Sequence, residues 1–182
     1  HRDLHSFPTR RSSDLTLDHI KWTAIMSGAE NVSTMISSLG NLLEFSVHRG
    51  EEEILLEQEI GLVKSYLVIQ ESRLNRRLNT EYGLSPEALQ CRALKFILQP
   101  IVENSLIHGF KDGAVKNPKI RINAELTDSD LSILISDNGK GMDAEQIHSW
   151  VQTPKDRESG HRFSGIGLFH THERIRLHYG SP

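Results

Sequence analysis

The hydrophobic period of the chain changes near residue 77, and that change limits the fold more than any other feature. Before it, Val32, Met35, Ile36, Leu39 and Leu43 recur at helical spacing and make one apolar stripe that needs a partner. After it, Leu78, Thr80, Tyr82 and Leu84 alternate with polar neighbours, the period of a half-buried strand. Such a chain is α+β, with helices first and a mixed layer afterwards.

The punctuation adds detail. A helix is expected from residue 16, capped by Asp18 and ending at Ser27-Gly28; a second starts near Asn31 and closes at His48-Arg49-Gly50. A third is expected to follow a Glu-rich first turn at 51–53 and to carry Ile60, Val63, Leu67 and Leu74 on one side. Ser85-Pro86-Glu87 reads as a turn or helix start, and residues 93–110 as an apolar helix that Pro100 kinks or restarts. Ile120, Ile122, Ala124 and Leu126, a turn at 127–130, and Leu131, Ile133 and Ile135 form an antiparallel hairpin. A short helix at 143–150 and a polar loop at 151–164 follow. Leu168, His172, Ile175 and Tyr179 then mark a last helix ending at Gly180. Residues 1–15 have neither period and read as a foreign or disordered tail. The expected domains are therefore 1–15, a helical region at 16–77 and a second domain at 78–182.

Composition excludes several classes. The 182 residues carry 21 basic and 24 acidic side chains, net −3, so no basic surface for nucleic acid is expected. Cys91 is the only cysteine, which rules out an intrachain disulfide. No apolar run approaches the roughly 20 residues that span a bilayer, and a cytoplasmic portion is expected.

Three segments carry chemistry. Asn104 and His108 are one helical turn apart and can face one cavity, with Glu103 on an adjacent side. The Asn104 amide oxygen is a hard ligand that suits magnesium and leaves room for water and phosphate oxygens. Asp137 ends an apolar strand before Gly139 and Gly141, so its carboxylate can accept from a ring amino group while backbone comes close. Gly165-Ile166-Gly167-Leu168 opens the last helix, where unpaired N–H groups and the helix dipole face an anion. Together they read as an ATP pocket. Each segment alone has a plainer reading, as a helix cap, an Asp-Asn-Gly turn or a loop. Lys155, Arg157, His161 and Arg162 read as a solvated loop that can fold over phosphates. Residues 139–144 also fit Gly-x-Gly-x-x-Gly/Ala, but the neighbouring strands look antiparallel and no acid-ended strand follows about 20 residues on. His170-Thr171-His172 is no metal pair, because residues two apart do not share a helix face.

The order of these segments resembles the ATP-binding Bergerat fold of histidine kinases, type II topoisomerases, mismatch-repair ATPases and heat-shock chaperones. It is most similar to bacterial sensor histidine kinases of the LytS-like class. The phrases Tyr66-Leu67-Val68-Ile69-Gln70-Glu71-Ser72-Arg73 and Gln99-Pro100-Ile101-Val102-Glu103-Asn104 carry that resemblance, which runs from residue 16 to the carboxy end. It implies a helical dimerisation region followed by an α/β sandwich with a mixed, mainly antiparallel sheet and helices on one face.

It also implies ATP and Mg2+ as cofactors, with Glu103 and Asn104 in the N box. Asp137, Gly139 and Gly141 would bind adenine, Gly165 and Gly167 would lie beneath the phosphates, and 142–164 would be a lid. Asn104 would hold magnesium and Glu103 would orient or deprotonate the attacking imidazole. A response regulator, a second copy of the chain, and a parent in the plasma membrane anchored through an amino-terminal region are the implied partners and setting. The family places its phosphoacceptor in Pro-His-Phe just before the stretch matching 16–22, and His5 and His19 sit in other contexts. Nucleotide binding without autophosphorylation is therefore expected of these residues. The family's final Gly-Thr strand has no counterpart before Pro182, and Ile107 stands where related kinases often have a basic residue. The alternatives are a non-catalytic dimerisation module with a vestigial pocket, or a Bergerat-fold ATPase or serine kinase.

Overall fold

The structure, a computed structural model, describes residues 10–47, 52–74, 77–110, 115–128, 130–142 and 166–180. It is α+β and divides into two compact units, His1–Glu51 with Lys64–Arg76, and Glu52–Val63 with Arg77–Pro182.

The first unit is helical. Helix α1 (Arg10–Met26) and α2 (Glu30–Val47) pack together, joined by a tight C-cap. Gly28 adopts φ 69°; its N–H reaches Ile25 O and the next N–H reaches Ala24 O, satisfying carbonyls that the helix end leaves open. The expected stop at Ser27-Gly28 is there. The expected cap at Asp18 is not, because the helix already runs from Arg10, inside the stretch read as lacking periodicity. Along α2 the apolar stripe stays open to solvent at Val32, Leu39 and Leu43, as do Leu15, Trp22 and Met26 on α1.

The second unit holds the sheets. Strand β1 (Glu53–Leu55) leads into α3 (Leu56–Leu74), whose first turns belong to this unit. Then come β2 (Asn79–Leu84), a short α4 (Pro86–Leu89) capped by Ser85, and β3 (Arg92–Leu94). Helix α5 (Gln99–Asn104) continues into a π turn, Ser105–Gly109. Strands β4 (Lys119–Leu126) and β5 (Leu131–Asp137) and helix α6 (Ile166–Tyr179) complete it. β4 is central, parallel to β2 and antiparallel to β5, and buries Ile120, Ile122 and Ala124. The core adds Leu56, Leu62, Val63, Leu94, Leu98 and Val102.

Two local expectations fail for one reason. Glu53 was expected in a helix's first turn and Ala93 in a helix, yet both lie in the antiparallel β1–β3 ribbon, where Ile54 faces Ala93. A pairing across 39 residues overrides local helix preference. The helix restarts only after Phe96, at φ 58°, with Pro100 in the first turn. On α6, Ile175 and Tyr179 are less buried than the periodicity predicts and line an apolar groove of about 670 Å³ with Leu131, Ile133 and Ile135 of β5. Leu134 on β5 is 61% exposed. The expected helix at 143–150, the loop at 151–164, His48-Arg49-Gly50 and the tail to residue 9 lie outside the described residues.

The carboxy end of α6 is fastened to β1. Glu53 Oε1 accepts from His178 Nε2 at 3.0 Å and from Tyr179 Oη at 3.1 Å. The His178 bond, then that of Tyr179, holds the Glu53 carboxyl below the usual carboxylate range. A depressed acid contributes stability above its unfolded pKa and loses it as pH falls through the folded one. In urea melts the gap between wild type and Glu53→Gln is therefore expected to be present above the ordinary glutamate pKa of about 4.3 and to shrink as the pH falls below it. A gap that persists at the acid end contradicts this.

Candidate nucleotide-binding site

The site is built on the α5–π turn segment, against which two distant parts of the chain press. At one side lies the end of β5. Asp137 Oδ2 accepts from Ser105 Oγ at 2.7 Å and Oδ1 from Gly139 N at 2.8 Å. An ionised carboxylate has about four acceptor positions, so two remain for a ligand on this solvent-exposed residue. The π turn, closed by Phe110 N to Ser105 O at 3.1 Å, widens the helix just where it meets Asp137.

Glycine is required at the next contact. A Cβ on Gly139 would lie 2.6 Å from Gly109 Cα and O, and Lys140 N donates to Gly109 O at 3.1 Å. Asn138 acts as a strut: its Oδ1 accepts from Lys119 N and its Nδ2 donates to Asn117 O. Gly141 has φ 70°, which favours glycine, and open space around it.

At the other side lies the start of α6. A Cβ on Gly167 would sit 3.5 Å from Pro100 Cβ, so the two helix starts nearly touch. Between them is a small cleft of about 160 Å³ lined by Pro100, Glu103, Asn104, Ile107, His108, Gly167 and Leu168. Glu103 thus shares the cleft with Asn104 and His108, where an adjacent side was expected.

Of the residues named from sequence, Glu103, Asn104, His108, Gly167 and Leu168 come together around the cleft. Asp137 and Gly139 are bonded or packed to the opposite part of the same segment, at Ser105 and Gly109. Ile166 is the first residue of α6. Gly165 and the basic loop residues lie outside the described residues. Ser105 was not among the candidates, and Gly109 and Asn138 stood in the candidate segments without a role of their own; the signal for Ser105 was a small hydroxyl directly after the amide, one residue from the cleft.

The donor set fits a magnesium nucleotide. A carboxylate and an amide oxygen side by side at Glu103 and Asn104 are hard ligands, and the start of α6 offers backbone N–H groups to phosphate.

Residues 15–78 match the histidine kinase family and residues 90–181, half of the chain, match the histidine kinase-, DNA gyrase B- and HSP90-like ATPase family. The chain is 32% identical over 167 residues to the sensor histidine kinase YesM of Bacillus subtilis, covering 92% of this chain and 27% of that protein. It is 27% identical over 148 residues to the sensor protein kinase HptS of Staphylococcus aureus, covering 81% of this chain and 28% of that protein. The chain spans little more than a quarter of the length of these relatives. With an α5–π turn segment bridging a carboxylate-ended strand and a glycine-started helix, the chain belongs to the histidine kinase-, DNA gyrase B- and HSP90-like ATPase family.

Proposed function

We propose that residues 78–182 bind Mg-ATP and form the nucleotide-handling part of a sensor histidine kinase. The observation that carries this is the convergence of Asp137 and Gly167, from separate parts of the chain, on the single α5–π turn segment that itself carries Asn104. Asp137 accepts a hydrogen bond from the adenine amino group with its remaining lone pairs. Asn104 would hold the ion, Glu103 would orient or deprotonate the attacking imidazole, and the first N–H groups of α6 would meet the phosphates. Bound magnesium supplies neutralisation of charge on the transferring phosphoryl group, and the chain's own contribution is positioning. In the whole kinase the γ-phosphoryl passes to a histidine, beside Glu103, and then to an aspartate of a response regulator.

The helical unit is proposed to pair with a second copy. Its open apolar residues, Trp22, Met26, Leu39 and Leu43, are what a helix–helix interface would bury. Among the described residues no helix is long and apolar enough to cross a membrane; a membrane anchor is proposed for the whole kinase only.

Displacement of a fluorescent ATP analogue tests the adenine assignment. ATP and ADP are expected to displace it, and GTP, whose ring presents a carbonyl where adenine has its amino group, at least about 100-fold less well. Equal displacement by GTP contradicts the role given to Asp137.

A further inference from the structure

Glu59 touches neither the cleft nor Asp137, yet it is fully buried in the second unit. Enclosing a carboxyl is costly unless its oxygens meet donors. Here both do: Oε2 accepts from Phe96 N at 2.8 Å and Oε1 from Leu98 N at 2.9 Å. Those amides belong to the 95–98 turn, which contains Phe96 at φ 58°, a conformation that side-chain-bearing residues disfavour. The turn is therefore held from outside.

The bonds continue into the site. Leu98 O accepts from Ile101 N and Val102 N, both at 3.1 Å, so the residue whose amide Glu59 holds is also the one that receives the first hydrogen bonds of α5. Pro100, Glu103 and Asn104 follow within that helix. From the other wall, Arg174 of α6 donates Nη2 to Lys95 O at 2.9 Å, tying the helix that carries Gly167 and Leu168 to the same turn. Burial pushes the Glu59 carboxyl up, while the backbone donors at 98, 96 and 97 and the charge of Arg174 pull it down.

We propose that Glu59 is a positioning residue for the nucleotide site: by fixing the 95–98 turn it sets where α5 points, and so where Glu103 and Asn104 stand against the start of α6. The inference rests on the nucleotide reading above and adds to it a residue that contacts neither nucleotide nor ion.

Glu59→Gln keeps the shape and converts one acceptor to an NH2 group, which cannot receive a backbone N–H. Leu62→Ala is the control: it lies on the same helix, is 1% exposed, and opens a cavity while both Glu59 hydrogen bonds to the turn are kept. Two readings are taken on each folded variant, hydrogen exchange of the 96–104 amides and affinity for ATP with magnesium. Glu59→Gln is expected to speed exchange of the Ile101 and Val102 amides and to weaken ATP binding, each about 10-fold, the lower end of what losing a residue behind a ligand typically costs. Leu62→Ala is expected to lower the melting temperature and leave both readings within about 2-fold, since its cavity is a local packing loss. Arg174→Ala, which removes the second tie, should move the same amides by a smaller factor, and Glu59→Asp, whose shorter side chain cannot reach both amides, takes the place of Glu59→Gln if that variant does not fold.

Unchanged exchange in the variant, or equal losses in variant and control, overturns the proposal. If wild type and Asn104→Ala bind ATP equally poorly, it is the nucleotide reading that fails. The exchange comparison alone then decides whether Glu59 positions α5.

Discussion

Asn104→Ala is expected to weaken binding of ATP in the presence of magnesium by about 100-fold, the upper end of what loss of a metal-site partner costs, while affinity for magnesium-free ATP stays within a few-fold. Asn104 lines the cleft beside Glu103, and its amide is the neutral oxygen donor that can share an ion with phosphate there. Magnesium keeps much of its water, so one lost protein ligand weakens its hold sharply without disturbing adenine contacts at Asp137. The helix does not need that amide: the start of α5 is set by Pro100 and by the Leu98 carbonyl. Melting temperature should therefore change little. Isothermal titration with and without the ion reads the difference, and a variant that loses magnesium-free binding equally contradicts the assignment.

Gly139→Val is expected to be the most damaging single change in the site. Its Cβ would lie within 2.7 Å of the Gly109 Cα, carbonyl carbon and oxygen, and backbone cannot swing aside as a flexible side chain can. Relief requires the β5 end to move off the π turn, which breaks Lys140 N to Gly109 O and pulls Asp137 from Ser105. Overpacking of this kind costs about 1–3 kcal/mol of stability, and the displaced carboxylate should leave adenine binding undetectable. Gly61→Ala is the contrasting change: that helical position has no atom within 4 Å of an added Cβ, so it should gain about 0.4–1 kcal/mol. Urea melts of both variants check the pair, and equal stability contradicts the close approach.

Much of the fold was legible because its signals are local. Gly28, Ser85-Pro86, Gly180 and the hairpin at residues 120–135 each announce an element end or period by their own chemistry, and each stands where expected. What was not legible depends on partners far away in sequence. The β1–β3 ribbon converts Glu53 and Ala93 from expected helix to strand, because Glu53 pairs with Leu94 and Ala93 with Ile54 in one ladder. Nothing local in the sequence marks Glu59, and only the turn 37 residues later gives it a role. In the site, Asn104, Asp137 and Gly167 were visible as residue types suited to an ion, an amino group and a phosphate. That Ser105 braces Asp137, and that Gly109 rather than His108 meets Gly139, follows from the π turn, which no spacing rule foretells.

The most direct measurement of the central claim is a calorimetric titration of ATP into the wild-type chain with magnesium, repeated with Asp137→Asn. One nucleotide per chain is expected, with affinity in the variant reduced about 10- to 100-fold, as loss of a charged acceptor costs about 1.5–3 kcal/mol. Equal and negligible heats from both proteins would contradict it.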